Sequence, residues 1–285
     1  MVSIIIVHYN TFDLTFACVA SCYKHIVSDF EIILVDNGSS EKSLDELLTT
    51  FQRVKYVDAG GNIGFAKGNN LGIQAAKGEY ILLLNSDCEL TEDSITPSIN
   101  YLKTHNEIGV LTCSLSFADG VKQNNFQSFP SIAGDLLEAT RLFKLMNKEK
   151  FAAKYENRLL DSSKNRYCDW VWGAFFLFRK TDLLQLQKKQ LSDRFFMYGE
   201  DMEWCWQFAE LGKKTFYFAE TVVVHHMGQS NFGSNNKKWR TIIRNEIQTV
   251  RYFKGNFYTF FFRVIRALKY LFSPNRSLAK FYLQP

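Results

Sequence analysis

Over residues 1–90 the apolar positions fall in short unbroken runs, separated by polar stretches rich in glycine and asparagine. Residues 2–7 (VSIIIV) predict a buried strand, followed by a loop at His8–Thr11 and a helix over about 13–25. A second buried strand at 31–36 (EIILVD) runs into D-N-G-S-S, which is turn chemistry. The stretch SEKSLDELL opens the next helix with a serine cap and early acids. A short strand at 54–57, a glycine-rich loop, a helix near 65–77 and a strand at 80–84 complete the series. This β-α-β-α-β-α-β alternation predicts an α/β fold with a mostly parallel central sheet flanked by helices. In such sheets the ligand crevice lies at the carboxyl ends of the strands. His8-Tyr9-Asn10, Asp36-Asn37-Gly38 and Asn85-Ser86-Asp87 all fall at such ends.

Beyond residue 90 the alternation is less regular. The pattern predicts a helix near 92–104, a strand at 108–113 and a polar, irregular stretch to 130. Residues 135–165 read as helical or loose, an insertion able to move. An apolar strand returns at 171–178 (VWGAFFLF), then a turn and a helix in MYGEDMEWCWQFAELG stopped by Gly212. A last strand, TVVVHH, ends at 226.

Composition changes this picture little until the end of the chain. The 285 residues suffice for one large α/β domain with an appendage, and 46% hydrophobic with 22% charged residues is ordinary for a globular protein. The six cysteines show no metal-finger spacing; Cys18 and Cys22, four apart, share a helix face and read as core. No basic stretch precedes the first strand, so no signal peptide is expected, and no apolar run is long enough to span a bilayer.

The charge is uneven. From Ser230 onward eleven basic residues face a single acid, Glu246, so the tail carries +10 and the preceding residues −5. Such asymmetry points to an anionic partner. Within 257–272, Phe257, Phe261, Val264, Ile265, Leu268 and Phe272 share one helical face, with Arg263, Arg266 and Lys269 toward the other. Two readings fit: a helix lying on an anionic membrane surface, or one packing its apolar face on the domain with a solvated basic back. Nucleic acid is disfavoured, because no binding motif accompanies the charge.

Candidate chemistry starts at the strand tips. Asp87 closes the buried run Y-I-L-L-L-N-S-D, where a carboxylate on a rigid support suits a divalent cation and also suits a plain turn. The run GGNIGFAKGNNLGIQAAKG is glycine-rich where backbone approaches something closely, and its helix start is able to bind phosphate. It is neither a dinucleotide fingerprint nor a Walker motif.

Taken in order, VSIIIVHYN, IILVDNGSS, GNIGFAKGNNLGI, YILLLNSD, GAFFLFRK, FFMYGEDMEWCW and HHMGQS resemble the family 2 inverting glycosyltransferases, in particular the bacterial rhamnosyltransferase-like branch. The resemblance runs from residue 2 to about 230. It implies a GT-A nucleotide-diphospho-sugar transferase fold over 1–230, with a nucleotide half to about 90 and an acceptor half beyond, and an amphipathic helical tail over 231–285. It also implies the use of Mg2+ or Mn2+. Val7 and Tyr9 match first-strand contacts to the nucleotide, and Asp36 the acid that binds base or ribose. Asn62 and Lys67 match the glycine-rich segment beside the nucleotide. Asp87 matches the metal ligand of the D-x-D motif; its first acid is Asn85 here, which together with Ser86 faces the nucleotide-sugar.

Asp201 matches the general base, and Glu200 beside it an acceptor contact. Both also fit a helix N-terminus stabilised by acids. Trp172, Gly173 and Ala174 match the strand that floors the acceptor site. The H-x-x-G-x-S spacing selects His225 over His226 as a further metal or diphosphate ligand. The implied activity is transfer of a sugar from a UDP- or dTDP-sugar to a growing, lipid-linked glycan, at the inner face of the cell membrane. Rivals are a degenerate, non-catalytic GT-A subunit and a nucleotidylyltransferase. The latter expects a glycine-rich loop with Arg and Lys after the first strand, where His8-Tyr9-Asn10 stands.

Overall fold

The structure, a computed structural model, describes residues 1–226, 235–271 and 273–284. In chain order its elements are β1 (Val2–His8), α1 (Phe12–His25), β2 (Phe30–Asp36), α2 (Asp45–Thr50), β3 (Val54–Asp58), α3 (Phe65–Ala75), β4 (Tyr80–Leu84), β5 (Cys88–Leu90) and α4 (Ile95–Thr104). There follow β6 (Ile108–Ser116), β7 (Phe126–Gln127), α5 (Ile132–Ala139), α6 (Lys148–Tyr155), β8 (Arg166–Cys168), β9 (Trp170–Val171), β10 (Phe175–Arg179), α7 (Lys180–Leu183), α8 (Glu200–Glu210), β11 (Lys214–His225), α9 (Asn235–Leu271) and α10 (Ala279–Leu283). They group into two compact units, one of residues 1–126 with 161–231 and one of 127–160 with 232–285.

The first unit is built on one sheet in the order β3-β2-β1-β4-β10-β6-β11-β5, with β8 paired to β11. β1 to β4 are parallel throughout, as the alternation predicts. Beyond β4 the sheet is mixed: β10 runs antiparallel to both β4 and β6, β11 parallel to β6, and β5 antiparallel to β11. β1 and β4 are apolar on both faces because helices cover both, and Ile4, Ile5, Ile6, Leu82 and Leu83 are fully buried. All six cysteines are free and buried in this unit.

The glycines of α3 have a packing reason. A Cβ on Gly72 would stand 2.3 Å from Ile5 Cγ2, and one on Gly68 would stand 3.0 Å from Val7 Cγ1. The close approach that the sequence reading expects without naming a partner is, at these two positions, the approach of helix to strand. Val7 therefore spends its side chain on α3. At α2 the expected serine cap takes another form: Leu44 holds the cap position, and Ser43 Oγ accepts from the Asp45 N–H. α8 ends as predicted, with Gly212 at φ +74° and its N–H on the Ala209 carbonyl.

In the second unit α9 is broken at Gly255 (φ +80°). Its second half goes against one of the two readings of the tail, an apolar face packed on the domain with a solvated basic back. Phe262 and Ala267 are buried, whereas Phe257 is 82% and Phe260 63% exposed, and Phe261, Leu268 and Leu271 are exposed too. Phe272 lies outside the described residues. The basic positions that the sequence reading leaves solvated turn inward. Arg266 Nε meets Asp135 Oδ2 at 2.6 Å, Lys269 Nζ meets Asp135 Oδ1 at 3.1 Å and Glu138 Oε2 at 2.7 Å, and Arg266 also reaches Glu246. The physical reason is counter-charge. Asp135 and Glu138 on α5 and Glu246 on α9 make burial of two cations affordable, and Tyr282 on α10 donates to Glu246. Burial opposes the charge on Arg266, but Glu246 and Asp135 outweigh it and hold the guanidinium protonated.

Candidate active site

The site is built from backbone ends. β4 finishes at Leu84, and the next three residues, Asn85, Ser86 and Asp87, turn the chain into β5. β5 pairs antiparallel with the end of β11, so that Cys88 stands opposite His225. His225 Nε2 consequently lies 3.3 Å from Asp87 Oδ1. Its neighbour His226 points elsewhere, to Glu89 Oε2 at 3.3 Å, while its N–H bonds the Asp87 carbonyl. Strand alternation thus separates the two histidines. Gly228 and Ser230, which complete the H-x-x-G-x-S spacing, lie outside the described residues.

The corner fits a divalent cation. A carboxylate oxygen and an imidazole nitrogen face one another, and Asn85 Oδ1 is buried without a hydrogen-bond partner among the described residues. The Asn85 amide nitrogen is 3.5 Å from His225 Nε2, so the other end of that amide is the spare acceptor. Cys88 is close enough to join Asp87 and His225 as a ligand. However, burial pushes its thiol well above the ordinary range and Sγ donates to the Ala174 carbonyl. A hard divalent cation also prefers oxygen and imidazole donors to sulfur, which favours Asp87 and His225 over Cys88. Ser86 Oγ is 3.1 Å from Thr11 Oγ1, tying this turn to the end of β1. Thr11 in turn joins Thr15 and His8 in a short chain of hydroxyl and imidazole contacts, which sequence reasoning did not single out.

Asp201 stands in the first turn of α8, with its carboxylate accepting from the Met202 and Gly173 N–H groups. Burial raises its pKa; those backbone donors pull the other way and do not cancel the effect. Glu200 is raised too, by burial first and by the neighbouring Asp201 second, and its Oε2 has no partner among the described residues. Gly173 packs under Asp201, since a Cβ there would lie 3.7 Å from Asp201 Cβ and 3.3 Å from the Phe65 ring. The next residue, Ala174, accepts from the Asn85 N–H at 3.0 Å. Consecutive residues thus hold the acid of α8 and the turn after β4. Trp172 is half-buried against the core, with its N–H on the Asn125 carbonyl.

The approach to α8 is strained. Tyr198 sits at φ +70° and Gly199 at +91°, and a bulky residue at positive φ is an outlier that surrounding contacts must hold in place. Part of that support is visible. The Phe196 carbonyl accepts from the Phe65 N–H at 3.0 Å, and it lies 2.5 Å from where a Cβ on Gly64 would be. No sequence pattern marks Tyr198, because strain is a property of the fold.

The nucleotide-side residues are distributed as follows. Asp36 Oδ1 accepts from the Ser39 N–H in a turn, and Oδ2 is 3.4 Å from the Tyr56 hydroxyl. Both residues line a cavity of about 430 Å3 with Ser39, Ser43 and Leu48, a volume that excludes Asp87, Asp201 and His225. Tyr9 is exposed and without structural duty in the core. Asn62 holds loops together: its Oδ1 accepts from Asn37 Nδ2 and from the Gly64 N–H, each at 3.1 Å. Gly38 allows that contact, as a Cβ would meet Gly61 at 2.6 Å. Lys67 is exposed on α3.

Known proteins give this geometry a setting. The sequence model described as glycosyl transferase family 2 matches residues 3–185. The chain is 35% identical over 98 residues to glycosyltransferase GlyG of Streptococcus pneumoniae, a match covering 33% of each chain. It is 24% identical over 233 residues to rhamnosyltransferase WbbL of Escherichia coli, covering 78% of this chain and 81% of that one. To the N-acetylglucosaminyl-diphospho-decaprenol L-rhamnosyltransferase of Mycobacterium tuberculosis it is 22% identical over 210 residues, 70% of this chain and 67% of that one. Among solved structures, GalNAc-T7 with UDP, GalNAc and Mn2+ aligns with a TM-score of 0.67 at 16% identity, covering 99% of this chain and 54% of that one. The chain thus spans about a third of GlyG and about half of the GalNAc-T7 structure.

Proposed function

The chain belongs to glycosyltransferase family 2, and from that premise we propose that it transfers a sugar from a UDP- or dTDP-sugar to a hydroxyl of a growing glycan, with inversion at the anomeric carbon. The observation that carries this reading is the pairing of two corners. Asp87 and His225 face each other at 3.3 Å, Asp201 is half-buried with no cation beside it among the described residues, and Gly173 and Ala174 link the Asn85–Asp87 turn to Asp201.

In this reaction Asp201 takes the proton of the acceptor hydroxyl as that oxygen bonds to the anomeric carbon, and the bond from that carbon to the diphosphate oxygen breaks on the opposite face. A raised pKa makes Asp201 a stronger base than an ordinary aspartate. Glu200, kept protonated by burial, donates a hydrogen bond to the acceptor, and the Trp172 indole offers a face for its sugar ring. Asp87, His225 and the Asn85 carbonyl hold Mg2+ or Mn2+; what that cation supplies is positive charge for the departing diphosphate. Asp36 binds the base or ribose together with Tyr9, while the Val7 backbone and Asn62 shape the crevice wall and Lys67 and Ser86 stand at the phosphate side.

The acceptor we propose is lipid-linked, with 257–272 resting on an anionic membrane surface. The exposed row Phe257, Phe260, Phe261, Leu268 and Leu271 supports this, and the mycobacterial relative is named for a decaprenol-linked substrate. Among the described residues no helix is long and apolar enough to cross a membrane.

The test is thermal denaturation with a panel of nucleotide-sugars and Mn2+, followed by transfer assays with the stabilising donor. A stabilising donor whose transfer is lost in Asp201→Asn is expected. Full transfer by Asp201→Asn, or activity indifferent to EDTA, sinks the corresponding assignment. For the membrane, Phe257→Ser with Phe260→Ser is expected to abolish co-sedimentation with vesicles containing phosphatidylglycerol.

A further inference from the structure

We propose that Gln123 is the positioning residue that fixes the tautomer of His225 and so aims a lone pair, rather than an N–H, at Asp87. Gln123 follows a tight turn at Asp119–Gly120 in the polar stretch after β6, and only 3% of it is exposed. Three bonds to backbone carbonyls fix it before the His225 ring is considered. Its N–H bonds the Leu115 carbonyl at 2.8 Å, and its Nε2 donates to the Ser116 carbonyl at 3.3 Å and to the His225 carbonyl at 2.6 Å. Two carbonyl oxygens accept only from an amide NH2 group, so the Gln123 side chain has one permitted orientation.

That orientation leaves Oε1 against His225 Nδ1 at 2.8 Å. Oε1 is only an acceptor, so Nδ1 must carry hydrogen; the opposite tautomer would set two lone pairs 2.8 Å apart in a buried place. With the proton on Nδ1, the neutral ring presents the Nε2 lone pair to Asp87 Oδ1 at 3.3 Å and to the Asn85 amide. Two acceptors so placed invite a cation. The tautomer and ring angle of a metal-binding histidine are set by whatever its other nitrogen bonds. Here that partner is an amide and not a carboxylate, so it orients the ring without adding negative charge to a corner that already lacks the first acid of its motif at Asn85.

This inference rests on the cation reading of Asp87 and His225, and two measurements separate the failure of one from the failure of the other. The first is long-range 1H–15N NMR of the metal-free protein near pH 8, with His225 assigned by comparison with His225→Gln. The expected pattern is a neutral ring protonated at Nδ1. A ring protonated at Nε2 overturns the proposal without any variant of Gln123. The second is Mn2+ binding with UDP present, followed by electron paramagnetic resonance. Gln123→Met, close in shape and without hydrogen bonds, is expected to weaken Mn2+ by about 10–100-fold. Gln123→Glu, which keeps an acceptor against Nδ1, is expected to recover part of that loss. Wild-type Mn2+ affinity in both variants overturns the role of Gln123. Absence of Mn2+ binding in the wild type, with Nδ1 protonated, overturns the cation reading and leaves the tautomer assignment standing.

Discussion

Glu200, buried, and Asp201, half-buried, begin α8 without an ion pair among the described residues, whereas Asp135 on α5 is buried but met by both Arg266 and Lys269. The two clusters contain the same chemical groups and differ in their counter-charges. An acid with its cations is architecture: its charge is compensated, and breaking the pair leaves a buried ion stranded. An acid without cations has a raised pKa and a standing cost in stability, and such groups cluster at functional sites. The contrast also shows why the basic tail cannot be read from charge alone. Arg266 and Lys269 are committed inside the second unit and are not free for an anionic partner.

The widest separation between the clusters is expected in catalysis. Asp201→Asn should lower kcat by about 10^2–10^4-fold while leaving nucleotide binding intact, as single-turnover assays and titration with the donor nucleotide would reveal. In the second unit, Asp135→Asn strands two cations and is expected to cost about 3–5 kcal/mol, read as a lower midpoint in urea denaturation.

A smaller effect separates the clusters by pH. Burial raises the pKa of Glu200, so the folded chain holds a proton that the unfolded chain has released, and ionisation costs stability above the ordinary carboxylate range. That cost starts to shrink as pH falls through the raised pKa of about 8 and is gone only below the ordinary carboxylate pKa. Glu200→Gln is therefore expected to raise Tm at pH 8, by about 2–4 °C per kcal/mol recovered, and to change nothing near pH 4; scanning calorimetry at both values decides it. By the same sign, the acid limb of kcat/KM is expected above the unperturbed aspartate value of about 3.9. The smallest effect is at Lys67. Exposed and solvated, it is expected to shift donor KM by no more than about threefold when changed to Ala.

Much of the fold was legible because the buried strands are apolar runs of strand length bounded by turn residues, as in Val2–Val7 and Tyr80–Leu84. The strand tips were legible for the same reason: Asp87 is a polar residue where an apolar run stops. What escaped reading depends on distant partners. Gln123 lies in a featureless polar stretch, and only the fold brings it against His225. Periodicity placed Arg266 and Lys269 on a common helix face but could not say that Asp135 waits there, in a segment more than a hundred residues earlier. Gly68 and Gly72 announced a close approach without naming what approaches, and the neighbour is β1.

The pair Gly173–Ala174 has a practical consequence for anyone redesigning this protein. Its two peptide groups act as a gauge block, setting the spacing between the Asp201 carboxylate and the Asn85–Asp87 turn by backbone geometry. Point substitutions elsewhere leave that spacing alone, whereas one residue inserted or removed between β9 and β10 resets it by a full step of the chain. Libraries aimed at new sugars belong in the loops, with this two-residue ruler left untouched.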